Sequence, residues 1–509
     1  MFTLQVLIQR SLMLVDPEKV PPHKERKFIV FEGCLLERFR VCRKCFAPCR
    51  NTTAVSGTLL TITSICTNEH KETWRSQPKV GNKAAGNPLI CAAILFSGAD
   101  VATTLRLLRS INISTISDRL YYYYQEGYLL SAVKQVYQRR NTELLEGLQG
   151  KAIDLAGDGR CDSPGFSAKY CTYTFHEATT KKIIHMEQVQ VGESDEVASS
   201  NAMEKVAFVR GFNKLKDQGF TISSFTSDRH PGVQHHMRTL ESGTAHYFDT
   251  WHLSKSVKKK LQAASRSGLC KELEVWVQPV TNHLYFCAMM GDCNGPLLVS
   301  MWLSLLNHVV NKHSGHGGPY DECLHQPLTD RSWLVVGSPA YNKLRSIISN
   351  PRLIKDIQHL SSGSQTYSVE SFNSVLIKFA SKSRAFSPEG MMARTLVAVL
   401  HFNENVGREQ AVTKEGEPCF RLVSSKAHKG RHTVTENKSN ATFRYRDDLL
   451  DEFVTCLDKW PTFEESRKAN VSHRPPPMCA KHPRPPKSDL IAARQSRFAS
   501  RARSSHEET

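Results

Sequence analysis

The sequence predicts an α/β protein: a mixed sheet, interrupted by a helical insertion and preceded by a small cysteine-rich unit and a helical region. Three observations carry this. Three consecutive runs between residues 151 and 191 have strand character, a helix-period segment and two further strands follow them, and paired Cys and Cys/His residues stand ahead of them.

Residues 1–30 read as a leader. Met1 to Val15 is mildly apolar, but Gln5, Gln9 and Arg10 interrupt it and no small-residue cleavage site follows, so it does not read as a signal peptide. Residues 31–80 read as a zinc-ribbon-like unit. Cys42-x2-Cys45 and Cys66-x3-His70 supply two ligand pairs on either side of a β-like stretch, Thr58 to Ile65, with Cys49 as a spare. Four protein ligands leave no open position, so a Zn²⁺ ion there would be structural; the competing reading is a set of unliganded core cysteines.

Residues 86–150 are helical, with Leu89, Ala92, Ala93 and Leu95 in one apolar stretch, an N-cap at Asp100, and a further helix starting near Ser117. The short link Ile111 to Ser114 joins two helices that either read DNA as a helix-turn-helix or simply pack. The tyrosine run Tyr121 to Tyr124 reads as part core and part surface.

Residues 151–252 read as the first part of the α/β core. Lys151 to Gly157, Ala168 to Glu177 and Lys182 to Val191 are strands; Ala202, Val206, Val209, Phe212 and Leu215 recur at helical spacing; Phe220 to Ser227 is a fourth strand. A short helix at Val233 to Leu240 and a fifth strand at Ala245 to Phe248 complete the order β-β-β-α-β-α-β. That is the order of an RNase H-like fold. Residues 253–357 are a helical insertion with a Gly/His-rich loop, His313 to Pro319, and residues 358–410 complete the core with a helix carrying Glu370, Phe372, Leu376 and Phe379. Residues 411–509 read as a basic, largely disordered tail, Pro- and Arg-rich from Pro475 to Arg503, in which the Cys479/His482 pair is incidental.

Lys and Arg number 67 against 49 Asp and Glu, a net charge of +18, which favours a polyanionic partner. No apolar run reaches the roughly 18 residues of a membrane span, so no membrane is expected; with a nucleic acid as the expected partner, no small-molecule substrate is expected either. Fifteen cysteines, an odd number, argue for a reducing compartment, nucleus or cytoplasm.

Metal-dependent phosphodiester chemistry needs carboxylates converging from separate elements. Asp158 follows the first strand, Asp228 ends the fourth, and Glu370 begins a helix. In an RNase H-like sheet the first and fourth strands are neighbours, so these are the candidate ligands for two Mg²⁺ or Mn²⁺ ions. Asp162, and less directly Asp154, are rivals to Asp158. Asp249 and His252 either assist the site or serve structural hydrogen bonding; Trp251 reads as packed, with stacking on a base as the functional alternative. Lys255, Lys258, Lys259, Lys260, Lys378, Lys382 and Arg384 are candidate contacts to the backbone of double-stranded DNA.

Several blocks also carry a resemblance. Gly157 to Gly165 with Ala168 to Thr174, Ser227 to His230, His246 to His252 with Ser254-Lys255 and Lys258 to Leu261, Glu370 to Ser374, and Phe386 to Arg394 resemble successive blocks of THAP-associated DDE transposases of the Kolobok type and their domesticated relatives. The similarity spans about Lys27 to Arg408, and the insertion is also similar to that of hAT transposases. The resemblance implies cut-and-paste DNA transposition in the nucleus by a homo-oligomer, with metal held by Asp158, Asp228 and Glu370. Two features depart from the family: the sequence given shows no N-terminal THAP finger ahead of this region, so recognition of transposon ends by such a finger does not carry over, and Glu69 stands where similar sequences place Gly before the histidine. A domesticated DNA-binding protein without catalysis is the alternative. An exonuclease-type enzyme is disfavoured because Asp158-Gly159-Arg160 lacks the Asp-x-Glu pair such enzymes need.

Overall fold

The computed structural model describes residues 20–163, 167–326, 328, 331–361, 367–424, 432–470, 475–476, 478 and 485–494. The Cys479/His482 pair and most of the leader lie outside the described residues. Among the described residues no helix is long and apolar enough to cross a membrane.

After a short helix α1 (Glu32–Leu36), strands β1 (Cys49–Ser56), β2 (Leu59–Cys66) and β3 (Lys71–Arg75) form an antiparallel meander that closes the cysteine-rich unit. A small hairpin, β4 (Lys79–Val80) with β5 (Lys83–Ala84), leads into α2 (Gly86–Ser97), α3 (Val101–Ser110), α4 (Asp118–Tyr124) and α5 (Leu130–Glu146). The Asp100 and Ser117 side chains accept from Thr103 and Leu120 amides, satisfying N–H groups that a helix start leaves open. A π-turn over Gln125–Leu129 joins α4 to α5.

The central sheet is mixed: β6 (Ala152–Cys161), β7 (Tyr170–Glu177), β8 (Ile183–Gln190), β9 (Thr221–Ser227) and β10 (Ala245–Phe248) lie in the order β10-β9-β6-β7-β8. β7 alone runs antiparallel to its neighbours. Helices α6 (Ser200–Asp217) and α7 (Pro231–Leu240) cover one face with a Phe-rich core around Phe175, Phe208, Phe212 and Phe225. The helical insertion, α8 (Thr250–Ser265), α9 (Val277–Met290), α10 (Gly295–His308), α11 (Pro339–Ile348) and α12 (Pro351–Ile357), has its own core around Trp276, Trp302 and Leu344. Helices α13 (Tyr367–Phe379) and α14 (Pro388–Asn405) return to the sheet's other face.

Helices α2 to α5 of the region 86–150 share one core with α13 and α14. One expectation about organisation needs correction. The segment expected as a largely disordered tail forms a hairpin, β11 (Phe420–Ser424) with β12 (His432–Glu436), and the helices α15 (Arg444–Lys459), α16 (Phe463–Ala469) and α17 (Lys487–Ala492). Helix α15 buries Tyr445, Leu449, Phe453, Cys456 and Leu457 in that same core. Glu404 accepts from the Arg444 and Tyr445 amides at its start, and Arg140 bridges Glu404 and Asp448 at 3.1 and 2.7 Å. In α16, Ser466 donates to the Gly127 carbonyl that lies within the π-turn. Polar composition hid these helices; their apolar residues recur at helical spacing all the same.

His176 in β7 is fully buried, its ring 6.1 Å from Phe372 and 5.7 Å from Phe402, and burial pushes its imidazole down to about 3. The unfolded chain takes up this proton near the ordinary 6.5 and the folded chain does not until about 3. Stability present above 6.5 is therefore lost as pH falls through that window, by about 1.4 kcal/mol per unit. Urea unfolding at pH 7 and pH 5 should show the wild type losing about 2 kcal/mol more than His176→Leu; equal losses would remove this histidine from the acid response.

Candidate metal and carboxylate sites

Asp158 lies within β6, not after it as its sequence position suggests, and Asp228 directly follows β9. These strands are parallel neighbours, so the two carboxylates meet at one end of the sheet. A third group joins them: Glu204 from α6, with one oxygen from each of the three within 4.8 Å of the others. Gly159 makes the approach possible, because a Cβ there would lie 2.5 Å from Glu204 Cγ.

Burial, reinforced by Asp228, pushes Asp158 up to about 7, and burial with both aspartates pushes Glu204 up to about 9. Like charges crowded in a half-buried site raise carboxyl pKa values in this way, and such a cluster fits a hard divalent cation. Asn373 donates to Asp158 Oδ2 at 3.1 Å, and the His230 amide donates to Asp228 Oδ1 at 2.9 Å.

Glu370 is in the first turn of α13, three residues before Asn373, and so on the same side of the helix. It stands outside the three-carboxylate cluster and half-exposed, with His252 Nε2 3.8 Å from Oε1. Its charge still contributes to raising Asp158. His252 is held from behind by Asp249, a buried carboxylate that accepts from His252 Nδ1 at 2.7 Å and from the Trp251 amide at the start of α8. That hydrogen bond is the main reason the His252 imidazole is pulled above its ordinary value. Asp249 and His252 thus join Glu370 in one chain of contacts.

The rivals have other roles. Asp162 accepts from the Lys169 and Tyr170 amides at 2.9 and 3.2 Å, fixing the turn into β7, and Asp154 accepts from Ser224 Oγ at 2.6 Å across the sheet. Trp251, expected to be packed, is 41% exposed, with Lys255 Nζ 4.5 Å above its ring. Lys259, Lys260, Lys378 and Lys382 are exposed; Lys258 donates to Gln278, and Arg384 is paired with Asp100 at 3.1 Å.

Sequence reasoning missed Glu204. The signal was present: Glu204 sits four residues before Phe208 and seven before Gly211, on the stripe that α6 buries. A carboxylate on an apolar helix face has to find polar company, and here Glu204 meets Asp158 and Asp228 in a cluster that could hold a metal ion.

The second site is the Cys/His cluster, which could hold a zinc ion: Cys42, Cys45, Cys66 and His70 bring their ligand atoms within 4.8 Å of one another. The Cys45–Cys66 sulfurs are 3.7 Å apart, and His70 Nδ1 lies 3.8 Å from Cys42 Sγ and 3.4 Å from Cys45 Sγ. Tetrahedral zinc with bonds of about 2.3 Å to sulfur and about 2.05 Å to nitrogen requires about 3.8 Å between sulfurs and about 3.6 Å between sulfur and nitrogen. The Lys44 and Cys45 amides draw the Cys42 thiol down to about 6, and the His70 amide donates to Cys66. Cys49 stays outside the cluster, its thiol facing the Ala47 carbonyl.

Phe46 and Glu69, the residues that turn the chain after Cys45 and before His70, have φ of 58° and 61°. The turn therefore forms with Glu at a left-handed position, at a cost of about 1 kcal/mol relative to Gly. Glu69→Gly is expected to stabilise the zinc-loaded unit by about 0.5–1 kcal/mol in thermal melts; an unchanged or lower melting temperature would refute the strain.

Neither a protein-family model nor a curated protein matches the chain.

Proposed function

We propose that this chain is a DDE-type DNA strand-cleaving and strand-transferring enzyme with an RNase H-like core, whose metal site comprises Asp158, Asp228 and Glu370 with Glu204 added. The observation that carries the proposal is the convergence of Asp158 and Asp228 from neighbouring parallel strands, with Glu204 within 4.8 Å. The strand order supports the RNase H-like assignment: third, second, first, fourth and fifth side by side, with the second antiparallel to its neighbours.

Two Mg²⁺ or Mn²⁺ ions bound there would supply Lewis acidity and charge neutralisation to a scissile phosphodiester. Asn373 orients Asp158. The Asp249–His252 pair positions Glu370 at the rim, where it can close on the cluster when charge is added. Trp251 and Lys255 offer a flat ring and a cation beside the carboxylates, suited to an unstacked base and its phosphate. Lys259, Lys260, Lys378 and Lys382 would neutralise the backbone of double-stranded DNA without reading its sequence. Zn²⁺ in the Cys/His cluster is structural in this reading. Nuclear location and action as a homo-oligomer go with it.

The second reading, a nuclear DNA-binding protein that keeps this core without catalysis, is favoured by one observation, the position of Glu370 outside the cluster. Incubation of the purified chain with Mn²⁺ and supercoiled DNA separates the two. Metal-dependent nicking that falls at least about 100-fold in Asp228→Asn, with DNA binding retained, is the expected result. DNA binding without nicking would favour the second reading, and neither activity would overturn both.

A further inference from the structure

The helical insertion contains a cluster of metal-ligating side chains far in sequence from both sites described above. His308 ends α10; His313, Cys323 and His325 lie on the loop that follows, and their ligand atoms fall within 4.8 Å of one another. We propose that His308, His313, Cys323 and His325 form a second zinc site, one that ties this loop to the end of α10.

The spacing matches the ion. His308 Nδ1 is 3.4 Å from His325 Nε2 and 3.6 Å from Cys323 Sγ. A tetrahedral zinc with bonds of about 2.05 Å to nitrogen and about 2.3 Å to sulfur requires about 3.35 Å and about 3.6 Å for those pairs. The three imidazole rings form a nearly equilateral triangle, with centroids 4.9, 5.0 and 5.1 Å apart.

The surrounding hydrogen bonds prepare three of the four ligands. His325 Nδ1 donates to the Gln326 carbonyl at 2.8 Å, leaving the lone pair on Nε2, the nitrogen that faces His308. His313 Nε2 donates to Asn311 Oδ1 at 3.0 Å, leaving the lone pair on Nδ1, which is buried and has no hydrogen-bond partner among the described residues. An amide N–H of Asn307 donates to His316 Nδ1, so that His316 Nε2 carries a proton and donates to Cys323 Sγ at 3.3 Å, favouring a thiolate there. Ligating histidines ordinarily have their outer nitrogen fixed in this manner. His308 is the exception: Arg331 approaches its Nε2 at 3.2 Å, and ligation through Nδ1 requires Arg331 to release that nitrogen. Arg331 already lies over the Trp276 ring at 5.1 Å and can remain there.

Backbone and aromatic contacts hold the loop in register. Asn311 takes a left-handed φ of 63°, the Cys323 amide donates to the His313 carbonyl, and Ser314 bridges Glu322. Trp333 packs edge-to-face against His308 and His313, and Trp276 likewise against His308, walling the cluster on its apolar side. One thiolate and three imidazoles close a tetrahedral site, so the ion braces the loop and takes no substrate.

The test counts zinc and reads its ligands. Full-length protein dialysed against Zn²⁺ and then metal-free buffer should lose one zinc equivalent on Cys323→Ser or His325→Asn, and a separate equivalent on Cys42→Ser. In the Cys42→Ser, Cys66→Ser background, Co²⁺ should give tetrahedral d–d bands with the weak charge-transfer band of a single thiolate, abolished by Cys323→Ser. To separate loss of a ligand from loss of the fold, Arg331→Ala provides a second arm: it leaves all four ligands in place and should raise Zn²⁺ affinity at the insertion severalfold. Equal zinc content in wild type and folded Cys323→Ser, or octahedral Co²⁺ spectra in the ribbon-deficient background, would overturn the proposal.

Discussion

Glu204→Gln is expected to stabilise the metal-free protein and to destroy its response to divalent cations. Without metal, Glu204 is pushed up to about 9 and Asp158 to about 7 because the two are buried together and beside Asp228. The unfolded chain releases the Glu204 proton near 4.5, while the folded chain retains it to about 9. Its contribution is thus fully present below 4.5 and is lost as pH rises through 9. Glutamine does not ionise and escapes that loss, so at pH 8 in EDTA the variant should be more stable by about 1–3 kcal/mol.

Mn²⁺ should reverse the order. A ligand at about 100 times its dissociation constant stabilises the wild type by about 2.7 kcal/mol, and a variant missing a ligand gains far less. Thermal melts of both proteins with and without Mn²⁺ measure the two effects together. If Glu204→Gln melts below the wild type in EDTA and gains as much from Mn²⁺, Glu204 is not part of the cation site.

Cys66→Ser should unfold the cysteine-rich unit while leaving the central sheet intact. The three strands bury little beyond Ile62, Ser64 and Cys66 itself, with Phe39 packed on Trp74 at 5.4 Å. A unit of this size lacks the core to fold alone, and zinc ligation is worth about 10–16 kcal/mol in comparable small units. Hydrogen exchange should show β1 to β3 as open in the variant as in chelated wild type, with β6 to β9 still protected. Persistent protection of β1 to β3 after chelation would show that the unit needs no metal.

Much of the architecture was legible because it is set by residues close together in the chain. Apolar and β-rich composition bounded by turn residues located the five strands of the central sheet to within a few positions, the Asp100 and Ser117 caps marked two helix starts, and Cys42-x2-Cys45 with Cys66-x3-His70 is a ligand pattern readable by spacing alone. Adjacent placement of Asp158 and Asp228 followed from the strand order once that order was read.

What local pattern does not encode is which surfaces meet. Glu204 enters the carboxylate cluster because α6 packs across β6 at Gly159, where a missing side chain leaves room, and Glu370 is held at its edge by Asp249 and His252. Helix α15 joins the core because Tyr445, Leu449 and Phe453 find α2 and α5, although its flanking sequence is as polar as a disordered tail. His308-x4-His313 has the spacing of a zinc ligand pair, but Cys323 and His325 are brought to it only by the path of the loop. The sequence by itself determined the elements and the short-range ligand pairs, since backbone preference, capping and side-chain periodicity act over a few residues. The tertiary structure decided the membership of the carboxylate site, the fate of the C-terminal helices and the histidine cluster, because each depends on the close approach of faces that only packing brings together.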